Sequence, residues 1–290
     1  MSESGTVPER PEKFYTIASA GFPVLEKSLS TWEKLYENTA VRKTVLLALL
    51  AGAWEIYARW LNNPLLVPAF SATVAAFFRA VASGALPQAA AYTIGMLLKG
   101  YAAGLAIAAV LTALAASTRL GADLLETLTA MFNPLPSIAL LPLALIWFGL
   151  GAGSIIFVLI HAVLWSVALN TLAGFRAVSP TWRMVGQNYG LSRTGYIVRI
   201  LIPGAFPSIL TGLKVGWAFA WRTLIAAELV FGVSSGSGGL GWFIFERKNQ
   251  LLIADVFAGL LTVILFGLLV ENLVFQTIES RTVRRWGMQL

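Results

Sequence analysis

Residues 190–203 read GLSRTGYIVRILIP and form a polar, basic interruption between long apolar stretches. Nine residues separate Gly190 from Ile200, and Ile202 and Pro203 close the segment. A loop that only reverses the chain needs no fixed pattern, whereas a loop that must fit a soluble partner does. The pattern therefore predicts a contact surface for another protein, carried by a chain that is otherwise apolar.

The composition indicates a lipid environment. Of 290 residues, 57% are hydrophobic and 12% are charged, and the mean hydropathy is +0.74. Soluble domains average about 25% charged residues, so this chain has too few polar groups to coat a globule. It has no cysteine and a single histidine, His161, which argues against a metal site and against a Ser-His-Asp relay. The net charge of +7 indicates cytoplasmic loops and anionic membrane lipid rather than nucleic acid.

Six apolar segments are each long enough to cross a bilayer, which takes roughly 20 residues. They lie at about 43–61, 89–116, 124–148, 153–175, 204–233 and 252–276. These segments predict an all-α, polytopic membrane protein with six transmembrane helices. Pro134, Pro136 and Pro142 predict a kinked or broken third span, buried among its neighbours.

The polar ends of the chain define the remaining regions. Residues 1–42 are predicted to be a tail that either carries an amphipathic helix around Leu25, Leu29 and Trp32 or is loosely ordered. Residues 43–276 form the six-span transmembrane domain, and residues 277–290 form a C-terminal tail.

The distribution of Lys and Arg predicts the orientation. These residues are concentrated in the two tails and in the loops 117–123 and 176–203, and they are sparse in the other connections. Because cytoplasmic loops carry the excess of positive charge, both termini and the 176–203 loop are expected on the cytoplasmic side of the cell inner membrane.

The 176–203 loop contains signals for two short helices. Ser179 is a candidate N-cap and Pro180 suits the first helical position, with a helix through Tyr189 that stops at Gly190. Ser192 is a candidate cap for a second helix over 193–201, expected to end before Pro203. Such a knob either docks on a partner protein or forms an elbow that touches only lipid. The candidate contact residues are Trp182, Arg183, Met184, Val185, Gly186, Gln187, Asn188, Tyr189, Gly190, Leu191, Ile200 and Pro203.

Two charged residues fall deep in the fifth span. Arg222 and Glu228 are six positions apart, which places them on different faces of one helix. Charges in the bilayer face protein or a water-filled path. Arg222 and Glu228 are therefore candidates either for a solute path, together with Asn133 and Pro136, or for a lock between helices.

The glycine-rich run 234–241 is not a phosphate-binding loop, because no Gly-Lys-Ser/Thr follows it. It is expected to form an outside turn that meets a binding protein or gates the path. The chain is thus predicted to bind no nucleotide, cofactor or metal itself.

The 176–203 loop resembles the E-A-A-x3-G-x9-I-x-L-P motif of binding-protein-dependent ABC importer permeases. Gly190, Ile200 and Pro203 match it, and Ile202 replaces the leucine. Met184-Val185-Gly186 stands where the motif has Glu-Ala-Ala.

The resemblance extends over most of the chain beyond the N-terminal tail. Similarity to the nitrate/sulfonate/bicarbonate (NitT/TauT) permease group is carried by Asn133 to Pro142, Trp147-Phe148-Gly149, Asn170 to Gly174, Leu210 to Leu213, Ala226-Ala227-Glu228 and Ser235 to Gly241.

The resemblance implies a type I ABC importer permease (MetI-like) fold and a non-catalytic subunit. It also implies two cytoplasmic ATPase subunits that hold ATP and Mg and dock on the coupling loop, a second permease copy, and a periplasmic or lipid-anchored solute-binding protein. The implied solute is a small anion or organic acid: nitrate, a sulfonate such as taurine, bicarbonate or an aromatic acid. A self-sufficient secondary transporter of a small anion is the alternative. A membrane-embedded enzyme is disfavoured because no acidic cluster for Mg²⁺ is apparent.

Overall fold

The computed structural model describes residues 36–231, 238–285 and 287, apart from the side chains of Arg183, Arg193 and Phe231. The described residues form helices and turns without a strand, which confirms the all-helical prediction. The first half of the described chain contains the helices α1 (Thr39–Leu61), α2 (Phe70–Ala82), α3 (Ala85–Ser117), α4 (Arg119–Phe132), α5 (Leu141–Phe148) and α6 (Ala152–Ala177).

The second half of the chain begins with the short helix α7 (Pro180–Asn188). Helix α8 follows, built from Arg193–Tyr196, a π-helical turn Ile197–Leu201 and Ile202–Gly204. The remaining helices are α9 (Phe206–Phe231), α10 (Leu240–Asn249) and α11, which starts as Ile253–Leu269 and continues through Val270–Phe275, Gln276–Glu279 and Ser280–Arg284.

Two units, 1–50 and 51–290, are distinguished by their internal contacts. The described part of the first unit, 36–50, contains the start of α1, where the Arg42 guanidinium donates to the Tyr36 carbonyl oxygen at 2.5 Å. The predicted amphipathic helix of the N-terminal tail lies outside the described residues.

Among the described residues, four helices are long and apolar enough to cross a membrane: Thr39–Leu61, Ala85–Ser117, Ala152–Ala177 and Ile253–Arg284. Two further pairs of helices meet at a break, with bends of 87° between α4 and the 137–148 segment and of 73° between α8 and α9. Counting each bent pair as one span gives up to six spans, in the order that the sequence predicts.

The break in the third span lies at the predicted prolines. Helix α4 ends where the Asn133 N–H donates to the Thr129 carbonyl oxygen at 2.9 Å. Pro134 and Pro136 cannot donate the next helical hydrogen bonds, so the chain turns before it resumes as a 3-10 turn, Ser137–Leu140, that leads into α5. This break places Asn133, Pro136 and Ser137 beside α6 and α9.

Helix α6 lies between α3 and α9, and glycines on both neighbours allow the close approach. A Cβ atom added to Gly100 of α3 would lie 2.5 Å from the Leu159 Cβ atom of α6, and one added to Gly212 of α9 would lie 2.8 Å from the Asn170 Cβ atom. Gly104 and Gly216 repeat these contacts one turn further along each helix. Small residues at this spacing are typical of tightly packed membrane helices, because they let backbones approach.

We expect a Gly100→Val variant to be destabilised by about 1–3 kcal/mol, since the added methyl groups overlap Leu159. Gly95→Val is the matched control on the same helix, because nothing lies within 4 Å of a Cβ atom there. Thermal unfolding of the detergent-solubilised chain tests the difference. Equal unfolding temperatures for the two variants would contradict the packing role of Gly100.

Three features differ from the sequence prediction. The second loop helix does not end before Pro203 but runs to Gly204, because the wide π turn at Ile197–Leu201 gives the proline ring room in a continuing helix. The last helix continues beyond 276 to Arg284, and Lys214 of α9 binds Glu279 there at 2.6 Å. Helices α2 and α10 were not predicted, since both are shorter than a span.

Candidate functional site

The loop between α6 and α9 folds as two short helices joined at a glycine. The Ser179 hydroxyl accepts a hydrogen bond from the Thr181 N–H at 3.3 Å, as expected for the cap of α7. Gly190 has φ of +60°, a left-handed conformation that ends α7 and that other residues rarely adopt. The Ser192 hydroxyl accepts from the Gly195 N–H at 3.2 Å and begins α8.

Gly186 explains how the two loop helices pack together. A Cβ atom at this position would lie 2.7 Å from the Ile200 Cδ1 atom and 2.9 Å from the Tyr196 ring. Gly186 occupies the third position of the altered Met184-Val185-Gly186 triplet, so the absence of a side chain there lets α7 lie directly on α8. The departure from Glu-Ala-Ala thus has a packing consequence within this loop.

The outer surface of α7 exposes large apolar side chains. Trp182, Met184 and Tyr189 are 61%, 56% and 81% exposed, and we call these three residues the α7 face. Of the other predicted contact residues, Gln187, Asn188, Gly190 and Pro203 are exposed, Val185, Leu191 and Ile200 are half-buried, and Gly186 is buried. The Arg183 side chain lies outside the described part of the structure.

The inner side of the loop is anchored in the helical bundle. Leu201 and Ala205 are buried against Phe175 and Val178 at the end of α6, and Ile200 packs at the edge of this cluster. The α7 face therefore projects from a supported base.

A cavity of about 320 Å³ lies between the broken third span, α6 and α9. Three of the four predicted path residues, Asn133, Pro136 and Arg222, line it together. Its remaining lining residues are Pro134, Leu135, Ser137, Ile138, His161, Ala162, Trp165, Ser166, Phe219, Thr223 and Ala226. The lining is mainly apolar and aromatic, with a few polar groups and one cation.

Arg222 is the charged group of this cavity. Its guanidinium carbon lies 6.0 Å from the centre of the Phe219 ring, one turn earlier on α9. Within the described ranges, no carboxylate lies within 4.0 Å of the Arg222 side chain, whereas Arg59, Arg176 and Arg284 each have such a partner. The cavity thus contains a positive charge that no described acidic residue neutralises.

His161 and Trp165 of α6 line the cavity, and Phe132 packs on Trp165 without lining the cavity itself. The Phe132 and Trp165 rings are stacked at 5.4 Å and 12°, and His161 meets both edge-on. The Ser137 hydroxyl and the His161 Nδ1 atom share a hydrogen bond of 3.1 Å. The His161 Nε2 and Trp165 Nε1 atoms are buried without a hydrogen-bond partner in the described part of the chain.

Glu228 does not line this cavity and forms a separate buried cluster. It is 2% exposed, and it accepts hydrogen bonds from the Thr93 hydroxyl and from the Gly241 N–H, each at 2.9 Å. The Thr93 oxygen in turn accepts from the Leu240 N–H at 2.8 Å. Glu228 therefore joins α9 to α3 and to the first turn of α10, which is the arrangement of a lock between helices.

The sequence did not indicate Trp165, Phe219 or Ser137 as lining residues, and it gave His161 no role at a site. No short motif marks them, because three separate elements bring them together. The helical spacing of His161 and Trp165, one turn apart on α6, is the one signal that they share a face.

The apolar helices, the supported loop and the internal cavity fit a multi-span membrane protein with a surface for a partner. Residues 100–284 match the family described as the binding-protein-dependent transport system inner membrane component. The chain therefore belongs to this family, and it is a permease subunit of an ABC transporter in a family of inner-membrane proteins.

Three relatives illustrate the similarity. A putative ABC transporter permease protein of Methanocaldococcus jannaschii is 30% identical over 243 residues, 82% of this chain and 90% of that protein. A nitrate import permease protein of a Synechocystis species is 28% identical over 83% of this chain and 88% of its own length. The taurine transport system permease protein of Escherichia coli is 36% identical over 51% of this chain and 52% of that protein.

Proposed function

We propose that this chain forms half of the translocation path of an ATP-driven importer for a small anion or organic acid. The observation that carries the proposal is Arg222, a cation without a described acidic partner in a cavity that it shares with Asn133 and Pro136. A guanidinium matches the planar oxygens of nitrate, carboxylates and sulfonates. The names of the relatives, which refer to nitrate and taurine, support the same class of solute.

Two cytoplasmic ATPase subunits are the proposed partners of the α7 face. Exposed aromatic and methionine side chains on a supported helix are typical of interface centres. With both termini in the cytoplasm, as the positive charges favour, the α7 face is on the side where ATP is available. ATP and Mg belong to those partners, and this chain is the non-catalytic subunit.

A second copy of the chain and a solute-binding protein complete the proposed assembly. The second copy closes the path from the other side, and the binding protein delivers the solute from outside. Apolar helix surfaces face membrane lipid. Nucleic acid has no part in this function.

Reconstitution tests the proposal. The chain is placed in proteoliposomes with the ATPase and the solute-binding protein that co-purify with it, and uptake of labelled taurine, nitrate, bicarbonate and benzoate is measured with and without ATP. We expect ATP-dependent uptake of at least one of them. Uptake by the chain alone, without any ATPase, would favour the alternative of a self-sufficient secondary transporter.

We expect an Arg222→Gln variant to lower uptake of the transported anion at least about ten-fold at normal protein yield. A hydrogen bond to a charged group contributes about 1.5–3 kcal/mol, and about 1.4 kcal/mol corresponds to a factor of ten. Arg222→Lys keeps the charge and should retain part of the rate. Arg119→Gln, at an exposed arginine on α4 away from the cavity, is the control. An unchanged uptake rate in Arg222→Gln would show that Arg222 does not take part in binding the anion along the path.

A further inference from the structure

The last turns of α11 carry more positive charge than the neighbouring carboxylate neutralises. Glu279 binds Lys214 of α9 at 2.6 Å and lies 3.7 Å from Arg284. Arg281 and Arg285 belong to the same turns, and neither guanidinium has an ion pair or a hydrogen bond with another described residue. These two arginines therefore form a positive surface at the end of the helix.

The packing of Val283 determines where these two side chains point. Val283 is buried in one apolar cluster with Phe275 and with Leu210 of α9. Arg281 and Arg285 each lie two residues from Val283. Two helical residues correspond to about 200° of rotation, so both arginines face away from α9. Both side chains are exposed, as this direction requires.

The spacing of Arg281 and Arg285 favours a shared anion. Residues four positions apart on a helix have Cβ atoms about 5–6 Å apart, and like charges at this spacing destabilise the helix. A phosphate group has several acceptor oxygens and can bind both guanidiniums, each through its fork of N–H donors. An anion with more than one oxygen therefore turns a repulsive pair into a binding site.

The helix surface that leads to these arginines is apolar. Leu273, Val274 and Ile278 are 65%, 44% and 36% exposed, on a helix that is long and apolar enough to cross a membrane. Val274 and Ile278 precede Arg281 at spacings of seven and three residues, which places all three on one face. An acidic protein surface matches the cations alone, whereas a lipid with an anionic headgroup matches both the cations and the apolar side chains.

We propose that the end of α11 is a binding site for an anionic phospholipid. Arg281 and Arg285 bind the phosphate of the headgroup, and an acyl chain lies along Val274 and Ile278. The lipid belongs to the leaflet on the side where the C-terminus lies. The inference goes beyond the proposed function, because binding of this lipid requires neither ATP nor a transported solute.

Native mass spectrometry of the full chain in detergent, titrated with three probes, tests the site. Dioleoyl phosphatidylglycerol has a net negative headgroup, dioleoyl phosphatidylcholine has the same chains without the net charge, and glycerol phosphate has the phosphate without the chains. We expect phosphatidylglycerol to bind at least about ten-fold more tightly than either of the others. Equal binding of phosphatidylcholine would overturn the role of charge. Equal binding of glycerol phosphate would overturn the assignment to a lipid in favour of a free phosphate.

A double variant tests the two arginines. Arg281→Gln with Arg285→Gln should weaken the binding of phosphatidylglycerol about 30-fold, which corresponds to about 2 kcal/mol for two cations, and should leave phosphatidylcholine nearly unchanged. Arg79→Gln with Lys248→Gln is the matched control, because it removes the same charge at two exposed positions on α2 and α10. These two helices pack together near the start of α11, at its other end.

Three outcomes of this comparison would overturn the proposal. Equal weakening by the two double variants would show that lipid is attracted by the net charge of the chain and not by a site. Unchanged phosphatidylglycerol binding in the Arg281→Gln and Arg285→Gln variant would show that these residues do not bind the headgroup. Unchanged lipid binding together with lost co-purification of the ATPase would assign the arginines to the protein partner instead.

Discussion

A Glu228→Ala variant should unfold on the order of 5–10 °C below the unmodified chain. The substitution removes the acceptor of the Thr93 hydroxyl and of the Gly241 N–H, and both groups stay buried. Two buried donors without acceptors cost about 1–3 kcal/mol each, so we expect a loss of about 3 kcal/mol.

The contacts of Gly241 show how closely α10 packs against Glu228. A Cβ atom on Gly241 would lie 2.6 Å from the Glu228 Cβ atom and from the Ile225 carbonyl oxygen. The first turn of α10 therefore packs directly against Glu228. Glu228→Gln keeps one acceptor oxygen and should lose less stability than Glu228→Ala.

Glu246→Ala is the matched control for this measurement. Glu246 lies on α10 outside the Glu228 cluster, and its side chain accepts a long hydrogen bond of 3.5 Å from the Gln250 amide. Differential scanning fluorimetry of the purified chain compares the variants. An unfolding temperature of Glu228→Ala equal to that of Glu246→Ala would show that the cluster does not hold α10 in place.

A Tyr189→Asp variant should lose ATP-dependent uptake and bind the ATPase subunit at least about 100-fold more weakly. Tyr189 is 81% exposed at the end of α7, so the change should leave the fold intact. In the docked complex the new carboxylate would be buried without a partner, at a cost of several kcal/mol.

Tyr189→Phe is the control, because it keeps the apolar ring and should retain most of the coupling. Co-purification with the ATPase and uptake by proteoliposomes are measured on the same preparations. Unchanged ATP-dependent uptake by Tyr189→Asp would show that the ATPase binds elsewhere. It would favour the alternative in which this loop contacts only lipid.

The sequence predicted features that depend on local chemistry. Pro134 and Pro136 mark the break in the third span because they lack the N–H group that a helix needs. Ser179 and Gly190 mark the ends of α7 because capping and a left-handed φ suit those residue types. Such signals are independent of what surrounds the helix.

Features that depend on tertiary contacts were not predicted. From the sequence, Pro203 is expected to end a helix. In the structure the helix continues, because the π turn before Pro203 is wider than an ordinary helical turn, and no residue type predicts such a turn. Glu228 and Arg222 looked equivalent in the sequence as charges in one span. The structure distinguishes them, because Thr93 and the first turn of α10 enclose the Glu228 carboxylate. The Arg222 guanidinium instead lines the cavity.

The glycine contacts on both sides of α6 have a mechanical consequence. At Gly100 and Gly212 the backbones of α3 and α9 lie directly against side chains of α6, and an added methyl group has no room there. The end of α6 leads directly into the base of α7 through Phe175 and Val178. We therefore expect a force on α7 to move α6 and, through the Gly100 and Gly212 contacts, to move α3 and α9 with it.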